Sequence, residues 1–307
     1  MKLGKYIERT VKAILLAPLT LIRYGTLRPN RVKLRDCDNW IYINPKDRRA
    51  IKKFVRDPIR KRISPPLCFW RDFLAKLEPG VAIDIGVNYG ECIFGTRYPI
   101  NTKVFGFEAN PSIAPLLQKS RIAHHDAERI TIIEGLVSDT NAEDVEFYAD
   151  PTWSGTGSAI SSLNVSNNIV TSHIPSRRID SVIPRNQVDN ASLLFKMDIE
   201  GYESIAFEGF WETIDAAKLV IGFVEFDTTY IREAGSSPEE YFSKLADRFD
   251  IYYLSSSYTK TLVPVLSLDE LPVSRASDKR VHTDLLLSTR NSKQSDWLPK
   301  QWSISDR

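Results

Sequence analysis

The chain has 307 residues, of which 42% are hydrophobic and 26% are charged. This composition provides a sizeable apolar core and excludes a wholly disordered protein. The three cysteines, Cys37, Cys68 and Cys92, lack the spacing of a metal site, and their odd number is atypical of a disulfide scaffold. We therefore expect a globular protein of the cytoplasm, where thiols stay reduced.

The formal net charge of +2 hides a strong asymmetry along the chain. Residues 1–80 contain 20 Lys and Arg against 7 Asp and Glu, a balance of +13, which leaves −11 for residues 81–307. The basic part could bind phosphate-bearing lipids, glycans or nucleic acid, or it could lie across the acidic part of its own chain. The sequence leaves both interpretations open.

Residues 11–24 combine an apolar run with flanking Lys and Arg side chains and are interrupted by Pro18. The run is too short to cross a bilayer, which takes about 20 apolar residues. It fits either an amphipathic helix at the inner face of the membrane or a helix docked on the main domain. Residues 1–65 are thus predicted to be a basic, partly helical segment that could make peripheral membrane contact.

Beyond residue 65 helices and strands alternate. Leu67–Leu77 places its large apolar residues on one helical face, and Ser237 with Pro238 has the pattern of a helix cap. Short apolar runs predict strands at Val81–Ile85, Lys103–Phe107, Ile130–Val137, Leu193–Met197, Leu219–Phe226, Asp250–Leu254 and Asp284–Leu287. This alternation predicts an α/β fold over residues 66–290, with a mostly parallel seven-stranded sheet and helices on both faces. Residues 140–185, rich in Ser and Asn, are predicted to be a partly β insertion, and residues 291–307 a polar tail.

The first predicted strand and the loop after it, Val81–Gly90, are the most informative segment. Asp84 precedes Gly86 by two residues, and Gly90 follows four residues later. A dinucleotide site requires Gly-x-Gly-x-x-Gly, so that a helix N-terminus receives the pyrophosphate. Here the first glycine pair is absent, and the Asp84 carboxylate would repel a pyrophosphate but attract the ammonium and sulfonium of S-adenosylmethionine. The spacing favours that cofactor over NAD.

A second acid, Glu108, ends the second strand and could accept both ribose hydroxyls of an adenosine cofactor. The adenine would lie after the third strand, near Gly135 and Leu136, where Asp139 either binds the amino group or serves a turn. The predicted cofactor-binding residues are therefore Asp84, Gly86, Asn88, Gly90, Glu108, Ala109, Asn110, Gly135, Leu136, Asp139 and Asp198.

A second acidic motif, Lys196–Glu203, ends the fourth strand and opens a helix. Asp198 and Glu200 alternate with apolar neighbours, which directs both carboxylates to one side. Glu203 falls in the first helical turn, where it could instead cap the helix. Carboxylates this close repel each other unless a cation, a proton or a hydroxyl-bearing substrate uses them.

With these motifs the sequence resembles the FkbM family of S-adenosylmethionine-dependent methyltransferases. The resemblance covers about residues 80–230 and rests on Ile83–Gly90, Phe107–Pro111, Arg178–Val182, Lys196–Glu203 and Val224–Glu225. Val87, Ala109 and Tyr202 depart from the family pattern, and Tyr202 bears on the substrate pocket. The resemblance implies a Rossmann-like class I methyltransferase fold and O-methylation, often of sugar or polyketide hydroxyls.

Methyl transfer to a hydroxyl is helped by a general base that accepts the leaving proton. Asp198, Glu200 and Glu225, which ends the fifth strand, are the candidate catalytic residues, and the acceptor is expected to be a small molecule or glycan. The same carboxylates could hold Mg²⁺, which prefers oxygen ligands, although no metal site is predicted. Two rival classes are a non-catalytic glycan- or membrane-surface-binding protein and an NAD-dependent oxidoreductase. Nucleic acid is disfavoured as a partner because the site is acidic.

Overall fold

The computed structural model describes residues 17–34, 37–56, 63–163, 166, 168–255, 260–275 and 279–305. The strands are β1 (Arg31–Lys33), β2 (Trp40–Tyr42), β3 (Val81–Ile85), β4 (Lys103–Glu108), β5 (Ile130–Glu134), β6 (Leu136–Val137), β7 (Ala142–Asp150), β8 (Trp153–Ser158), β9 (Val170–Arg177), β10 (Ser192–Met197), β11 (Leu219–Asp227), β12 (Phe249–Leu254), β13 (Thr261–Val265), β14 (Val273–Arg275), β15 (Arg280–Thr289) and β16 (Ser303–Ile304). The α-helices are α1 (Arg48–Ala50), α2 (Pro65–Leu77), α3 (Ala114–Ile122), α4 (Ile179–Val182), α5 (Arg185–Val188), α6 (Glu203–Glu208), α7 (Trp211–Ala216), α8 (Thr228–Glu233), α9 (Pro238–Arg248) and α10 (Gln294–Trp297). A π-helical turn, Ile51–Arg56, continues α1.

The central sheet has the strand order β16-β13-β12-β15-β11-β10-β3-β4-β5, with β14 paired to β15. The strands from β5 to β11 in this order are parallel, and β15 runs antiparallel to both β11 and β12. The α/β class is confirmed, but the predicted mostly parallel seven-stranded sheet is wrong, because the sheet is mixed and has ten strands. The additional strands β13, β14 and β16 are two to five residues long. The runs of β14 and β16 are too short to show alternation, and Pro264 within β13 argues against a strand in the sequence.

Alternating side chains of the central strands pack into two cores, one on each face of the sheet. On one face Leu194 joins a cluster that includes the fully buried Trp70 of α2. On the other face Phe195 packs edge-on against Phe207 and Phe210. Both faces are therefore covered, and a ligand can reach the sheet only over the carboxyl ends of its strands.

The helices predicted over Leu67–Leu77 and after Ser237 are both present, and so is the one that Glu203 opens. α2 begins after Ser64, whose hydroxyl accepts a hydrogen bond from Leu67 N. α9 begins after Ser237, whose hydroxyl accepts from Glu240 N at 3.2 Å. Each cap and its proline lie within one helical turn, so a local pattern was sufficient to locate these helices.

The described part of residues 1–65, here called the front segment, contributes to the core of the main domain. In the β1–β2 hairpin, Val32 and Ile41 are fully buried, and Tyr42 N donates to Ser120 Oγ of α3 at 2.9 Å. In the π-helical turn, Phe54 belongs to the same core cluster as these residues. The hairpin and the turn are thus packed against the α3 side of the sheet.

Residues 17–24 are helical and lie against the domain on one side only. Thr20 is buried and Tyr24 packs against the core, whereas Ile22 is 84% exposed and Leu19 is 52% exposed. Residues 11–16 of the predicted amphipathic stretch lie outside the described residues. Across the ranges that the structure describes, no helix is both long enough and apolar enough to cross a membrane.

The predicted insertion contributes most of a second, four-stranded sheet of order β6-β9-β7-β8. The predicted third strand, Ile130–Val137, is divided at Gly135, whose φ of +140° turns the chain from β5 in one sheet to β6 in the other. Asn88 Nδ2, in the loop after β3, donates to Ser154 O of β8 at 2.7 Å. The second sheet therefore lies beside the carboxyl ends of the central strands.

The predicted polar tail buries two tryptophans. Trp297 stacks with Phe73 of α2 at 6.3 Å between ring centroids, and Trp302 Nε1 donates to Asp72 Oδ2 at 2.7 Å. β16 then pairs with β13 at the edge of the central sheet. Residues 294–304 thereby close the core next to α2.

We expect Ile41→Ala to lower the free energy of unfolding by about 2–5 kcal/mol, because it leaves a cavity in a core that cannot collapse fully. Ile22→Ala, which truncates a side chain that is 84% exposed, should change it by less than about 0.5 kcal/mol. Urea denaturation followed by circular dichroism measures both values. Equally small effects in the two variants would show that the hairpin does not belong to the folding core.

Candidate active site

The loop after β3 is held by backbone contacts to both neighbouring strands. Gly86 N and Val87 N donate to Phe107 O of β4 at 3.0 and 3.1 Å, and Asp198 N donates to Ile85 O at 3.1 Å. Gly86 has a φ of +79°, and a Cβ there would lie 2.0 Å from Asp198 O. Only glycine fits this position, so the packing between β3 and β10 requires the glycine that the sequence shows.

Glu108 borders the loop on the side of β4. Its Oε2 accepts from Asn88 N at 2.6 Å and its Oε1 from Asn110 N at 2.8 Å. Asn88 has a φ of +52°, a conformation that is uncommon outside glycine. Burial raises the pKa of Glu108, although the two N–H donors oppose the shift. Each carboxylate oxygen retains a second lone pair, which can accept a ribose hydroxyl.

A buried lysine joins the loop to the two central strands. Lys196 is 5% exposed, its Nζ donates to Gly86 O at 2.8 Å, and the same atom lies 3.3 Å from Asp84 Oδ1 and 3.8 Å from Asp198 Oδ2. Burial alone would lower the pKa of this ammonium, but attraction by Asp84 and Asp198 outweighs it and raises the pKa. Burial also raises the pKa of Asp84, a shift that the Lys196 ammonium opposes. Lys196 is therefore charged, with Asp84 as its counter-ion at the floor of the site.

Two of the candidate catalytic carboxylates lie at the end of β10. Asp198 and Glu200 both line the pocket above the glycine loop. Glu200 has a φ of +54° and precedes Gly201 with a φ of +97°, so the chain makes a left-handed turn directly after the strand. Burial and then repulsion by Asp198 raise the pKa of Glu200 to about 8. In the ligand-free chain this carboxyl group is therefore largely protonated at neutral pH, and it accepts a proton only once it has ionised.

Glu203 stabilises the turn that carries these carboxylates. It is 2% exposed, and its Oε1 accepts from Ile199 N at 2.9 Å. Burial raises the pKa of Glu203 to about 7, although backbone N–H donors such as Ile199 N oppose the shift. The side chain thus satisfies a backbone donor, the structural role that the sequence left open.

Glu225, the third candidate catalytic residue, lies beside this cluster and does not line the pocket. It is in register with Asp284 of β15, and its Oε1 lies 3.9 Å from His282 Nδ1. Burial and then repulsion by Asp198 and Glu200 raise the pKa of Glu225 well above its usual value. Burial and then repulsion by Asp198 raise the pKa of Asp284 to about 6. The carboxylates therefore extend as one group from β10 across β11 to β15.

Most of the predicted site residues come together in one pocket over the ends of β3, β4, β5 and β10. Its lining includes Asp84, Gly86, Asn88, Glu108, Ala109, Asn110, Gly135, Leu136, Asp198 and Glu200. Gly90 and Asp139 lie off this lining. Gly90 has a φ of +84° within the loop. Asp139 is exposed and accepts from Ser138 Oγ at 2.9 Å, which matches the turn role that the sequence left open.

One wall of the pocket consists of residues that belong to no sequence motif. They are Arg49, Ala50, Lys53 and Phe54 from α1 and the π-helical turn, and Ser154, Gly157, Ser158 and Ala159 from the insertion. Asp47 joins the two parts, since its Oδ1 accepts from Arg49 N and Ala50 N and its Oδ2 accepts from Ser154 N at 3.3 Å. An Asp before a helix is a local cap signal, but no local pattern indicates a contact between positions 107 residues apart.

The residues present fit S-adenosylmethionine. The carboxylates of Asp84, Asp198 and Glu200 suit its cationic head, and Glu108 has lone pairs for the ribose. Among the residues that the structure describes, no group of three His, Cys, Asp or Glu side chains could hold a metal ion. The Mg²⁺ considered from the sequence has no support in these residues, and we do not propose it.

We expect Lys196→Met to lower the free energy of unfolding by about 3–5 kcal/mol, because it leaves the Asp84 carboxylate buried without its counter-ion. Adding Asp84→Asn should restore part of the loss, since the second change removes the uncompensated charge. Chemical denaturation of the two single variants and the double variant measures the coupling. A loss below about 1 kcal/mol in Lys196→Met would contradict the assigned ion pair.

The free energy of unfolding should fall as the pH rises. Glu200 has an ordinary pKa of 4.5 and a pKa of about 8 in the folded chain, so the folded state holds the proton more tightly. Stability is then lost as the pH rises from 4.5 towards 8 and levels off above it. Glu200→Gln should reduce this slope, and Glu128→Gln, which changes an exposed acid, should not. Thermal unfolding of the wild type and both variants without ligand, between about pH 5 and pH 8, measures this pH dependence of stability. Equal slopes in the three proteins would contradict the raised pKa of Glu200.

Comparison with solved structures finds methyltransferases at low identity. A putative O-methyltransferase from Klebsiella pneumoniae is 11% identical, with 76% of this chain and 84% of that chain covered and a TM-score of 0.39. An O-methyltransferase from Bacillus cereus, in complex with SAH, is 10% identical, with coverages of 74% and 82% and a TM-score of 0.40. The O-methyltransferase TomG from Streptomyces achromogenes, in complex with SAM, is 11% identical, with coverages of 73% and 79% and a TM-score of 0.38. Comparison with curated proteins gives no match.

Comparison with protein-family models identifies the part of the chain that forms the floor of the pocket. Residues 84–252, more than half of the chain, match the methyltransferase FkbM domain. The match includes Glu108 and the carboxylates at the end of β10, whereas Arg49 and Lys53 precede it. The resemblance seen in the sequence is thereby confirmed. The chain belongs to the FkbM methyltransferase family and is an S-adenosylmethionine-dependent methyltransferase.

Proposed function

We propose that this methyltransferase acts on a hydroxyl group of a neutral, polyhydroxylated acceptor, such as a sugar, a glycan or a related polyol or polyketide. The observation that carries the proposal is the group of carboxylates that extends from the end of β10 across β11 to β15, namely Asp198, Glu200, Glu225 and Asp284. Carboxylates accept hydrogen bonds from hydroxyl groups. They would repel an acceptor that carries phosphate or carboxylate. A neutral acceptor with several hydroxyls fits this charge pattern.

The bound cofactor supplies a methyl carbon that is already activated by its sulfonium. The chain itself has to orient the acceptor, exclude water and accept the hydroxyl proton as the oxygen–carbon bond forms. Asp198 and Glu200 both line the pocket and are the proposed bases. A base works best when its pKa is close to the working pH, and the pKa of Glu200 is about 8. Since Glu225 lies off the pocket lining, we assign it neither role and infer that its charge acts on Asp198 and Glu200.

The two rival classes considered from the sequence receive less support. A dinucleotide would bring its pyrophosphate next to buried Asp84, and the loop offers no Gly-x-Gly pair. A protein that binds glycans or membranes without catalysis would not need carboxyl groups with raised pKa values inside a pocket. Membership of a methyltransferase family favours the enzyme.

We expect S-adenosylhomocysteine to raise the melting temperature of the purified chain, because a ligand that binds only the folded state stabilises it. Methyl groups from a labelled donor should then be incorporated into neutral sugars, glycans or polyols and not into phosphorylated sugars. Mass spectrometry would locate the label on oxygen. Incorporation only into anionic acceptors, or only onto nitrogen, would contradict the proposed acceptor class.

Three variants separate cofactor binding from chemistry in the same assay. Glu200→Gln should keep the binding of S-adenosylhomocysteine within about threefold and lower kcat by about 10² to 10⁴, the usual contribution of a general base. Glu108→Ala should weaken that binding by about tenfold or more, because two ribose hydroxyls lose a charged acceptor. Glu128→Gln, on the exposed surface, is the matched control. Full turnover in Glu200→Gln would remove it from the mechanism and leave Asp198.

A further inference from the structure

The wall formed by the front segment is basic, in contrast to the acidic floor of the pocket. Arg49 and Lys53 lie four residues apart, on α1 and the π-helical turn, and both line the pocket. Arg48 and Lys52 belong to the same segment, are exposed and do not line it. The segment therefore directs one pair of basic side chains into the pocket and another pair to solvent.

Contacts to the insertion and to the glycine loop fix this wall. Arg49 Nη1 donates to Ser154 O at 3.4 Å, the same oxygen that accepts from Asn88 Nδ2 at 2.7 Å. Phe54 packs edge-on against Tyr89 of the loop, with 6.2 Å between the ring centroids. The Arg49 guanidinium is thus separated from the loop by a single carbonyl group, and a ligand lying over the loop would be within its reach.

The charge on this wall is only partly balanced within the chain. Lys53 Nζ lies 2.6 Å from Glu91 Oε2, which also accepts from Ser64 Oγ at 2.9 Å. Arg49 is partly buried and, over the ranges described, forms no ion pair with a carboxylate within 4.0 Å. The Glu200 carboxylate attracts this guanidinium from a longer distance. A guanidinium that has lost part of its water and has no direct ion-pair partner favours an anionic ligand, and its planar fork suits a carboxylate.

The order of the strands indicates which part of the cofactor reaches this wall. The floor runs in the order β5-β4-β3-β10. With the adenine near Gly135 after β5 and the ribose at Glu108 of β4, the methionyl part extends over β3 and β10. That part carries the one carboxylate of S-adenosylmethionine. Lys53 borders the same end of the pocket through Glu91, which directly follows the glycine loop.

We propose that Arg49 and Lys53 bind the α-carboxylate of S-adenosylmethionine. The acidic floor then receives the positively charged part of the methionyl group, and the basic wall receives its negative end. The proposal rests on the use of this cofactor and adds to it a subsite from residues outside the family match. It also gives the front segment a role in cofactor binding, because these residues line the pocket that would hold the donor.

Decarboxylated S-adenosylmethionine is a suitable probe, because it differs from the cofactor only by lacking this carboxylate. We expect the wild-type chain to bind S-adenosylmethionine more tightly than the decarboxylated form in calorimetric titrations. Arg49→Gln/Lys53→Gln should weaken the binding of S-adenosylmethionine by about 10- to 100-fold, as expected for lost charge-assisted hydrogen bonds. It should change the binding of the decarboxylated form by less than about threefold, so the wild-type preference is lost.

The matched control is Arg48→Gln/Lys52→Gln, which removes the same two charges from the same segment on its exposed side. It should retain the wild-type preference. Arg49→Lys/Lys53→Arg, which keeps both charges, should retain most of the preference for S-adenosylmethionine over its decarboxylated form. Binding of the decarboxylated form by each variant also verifies that its pocket is folded.

Two results would overturn the proposal. One is an equal loss of affinity for both ligands in Arg49→Gln/Lys53→Gln, which would indicate a structural role for the wall. The other is an unchanged preference in that variant. If the wild-type chain bound neither S-adenosylmethionine nor S-adenosylhomocysteine, the cofactor assignment itself would fail, and this subsite would fail with it.

Discussion

The buried ammonium of Lys196 is the constraint on which the pocket depends. It is in register with Asp84 on the neighbouring strand, and it bonds to Gly86 O at 2.8 Å and faces Asp198 at 3.8 Å. Taking an ammonium out of water costs several kcal/mol unless excellent contacts replace the water. Here the carboxylates of Asp84 and Asp198 and the carbonyl oxygen of Gly86 replace the water around the ammonium. One side chain therefore fixes the relative positions of two strands, the glycine loop and the first acid of the second motif.

The same lysine leaves the pocket with an excess of negative charge. Its single positive charge faces Asp84, Asp198 and, at longer range, Glu200, whose pKa is raised to about 8 by burial and then by repulsion from Asp198. In the ligand-free chain protons relieve part of this repulsion. A cationic donor relieves it better, because it stabilises the ionised carboxylates instead of neutralising them. The site thus holds a repulsion that costs stability and favours its ligand, a common property of functional sites.

The parts of the fold and the site that the sequence predicted are those marked by a short motif, even where, as at Gly86, a distant residue sets the requirement. Gly86 is required because Asp198 O occupies the space of a Cβ, and Ser237 caps a helix one turn away. Three features depended on distant contacts and were not predicted. Gly135 turns the chain out of the central sheet, Arg49 reaches the pocket through the insertion, and Glu225 lies one strand away from the lining. Each depends on the partner that another segment supplies, and a single strand or helix carries no sign of that partner.

The uneven charge of the sequence now has a partial explanation. In the described part of the front segment, Lys53 forms an ion pair with Glu91, which belongs to the acidic residues 81–307. Arg48, Lys52 and Arg56 of the same segment are exposed. Arg48 attracts the Asp150 carboxylate of β7, but neutralisation of the acidic domain does not account for Lys52 and Arg56. Arg49, by contrast, brings a positive charge to one end of a pocket whose floor carries Asp84, Asp198 and Glu200. A ligand with a cationic centre and an anionic end meets opposite charge along its whole length only where both parts of the chain are present. In this enzyme the basic segment is thus part of the cofactor site as well as part of the fold.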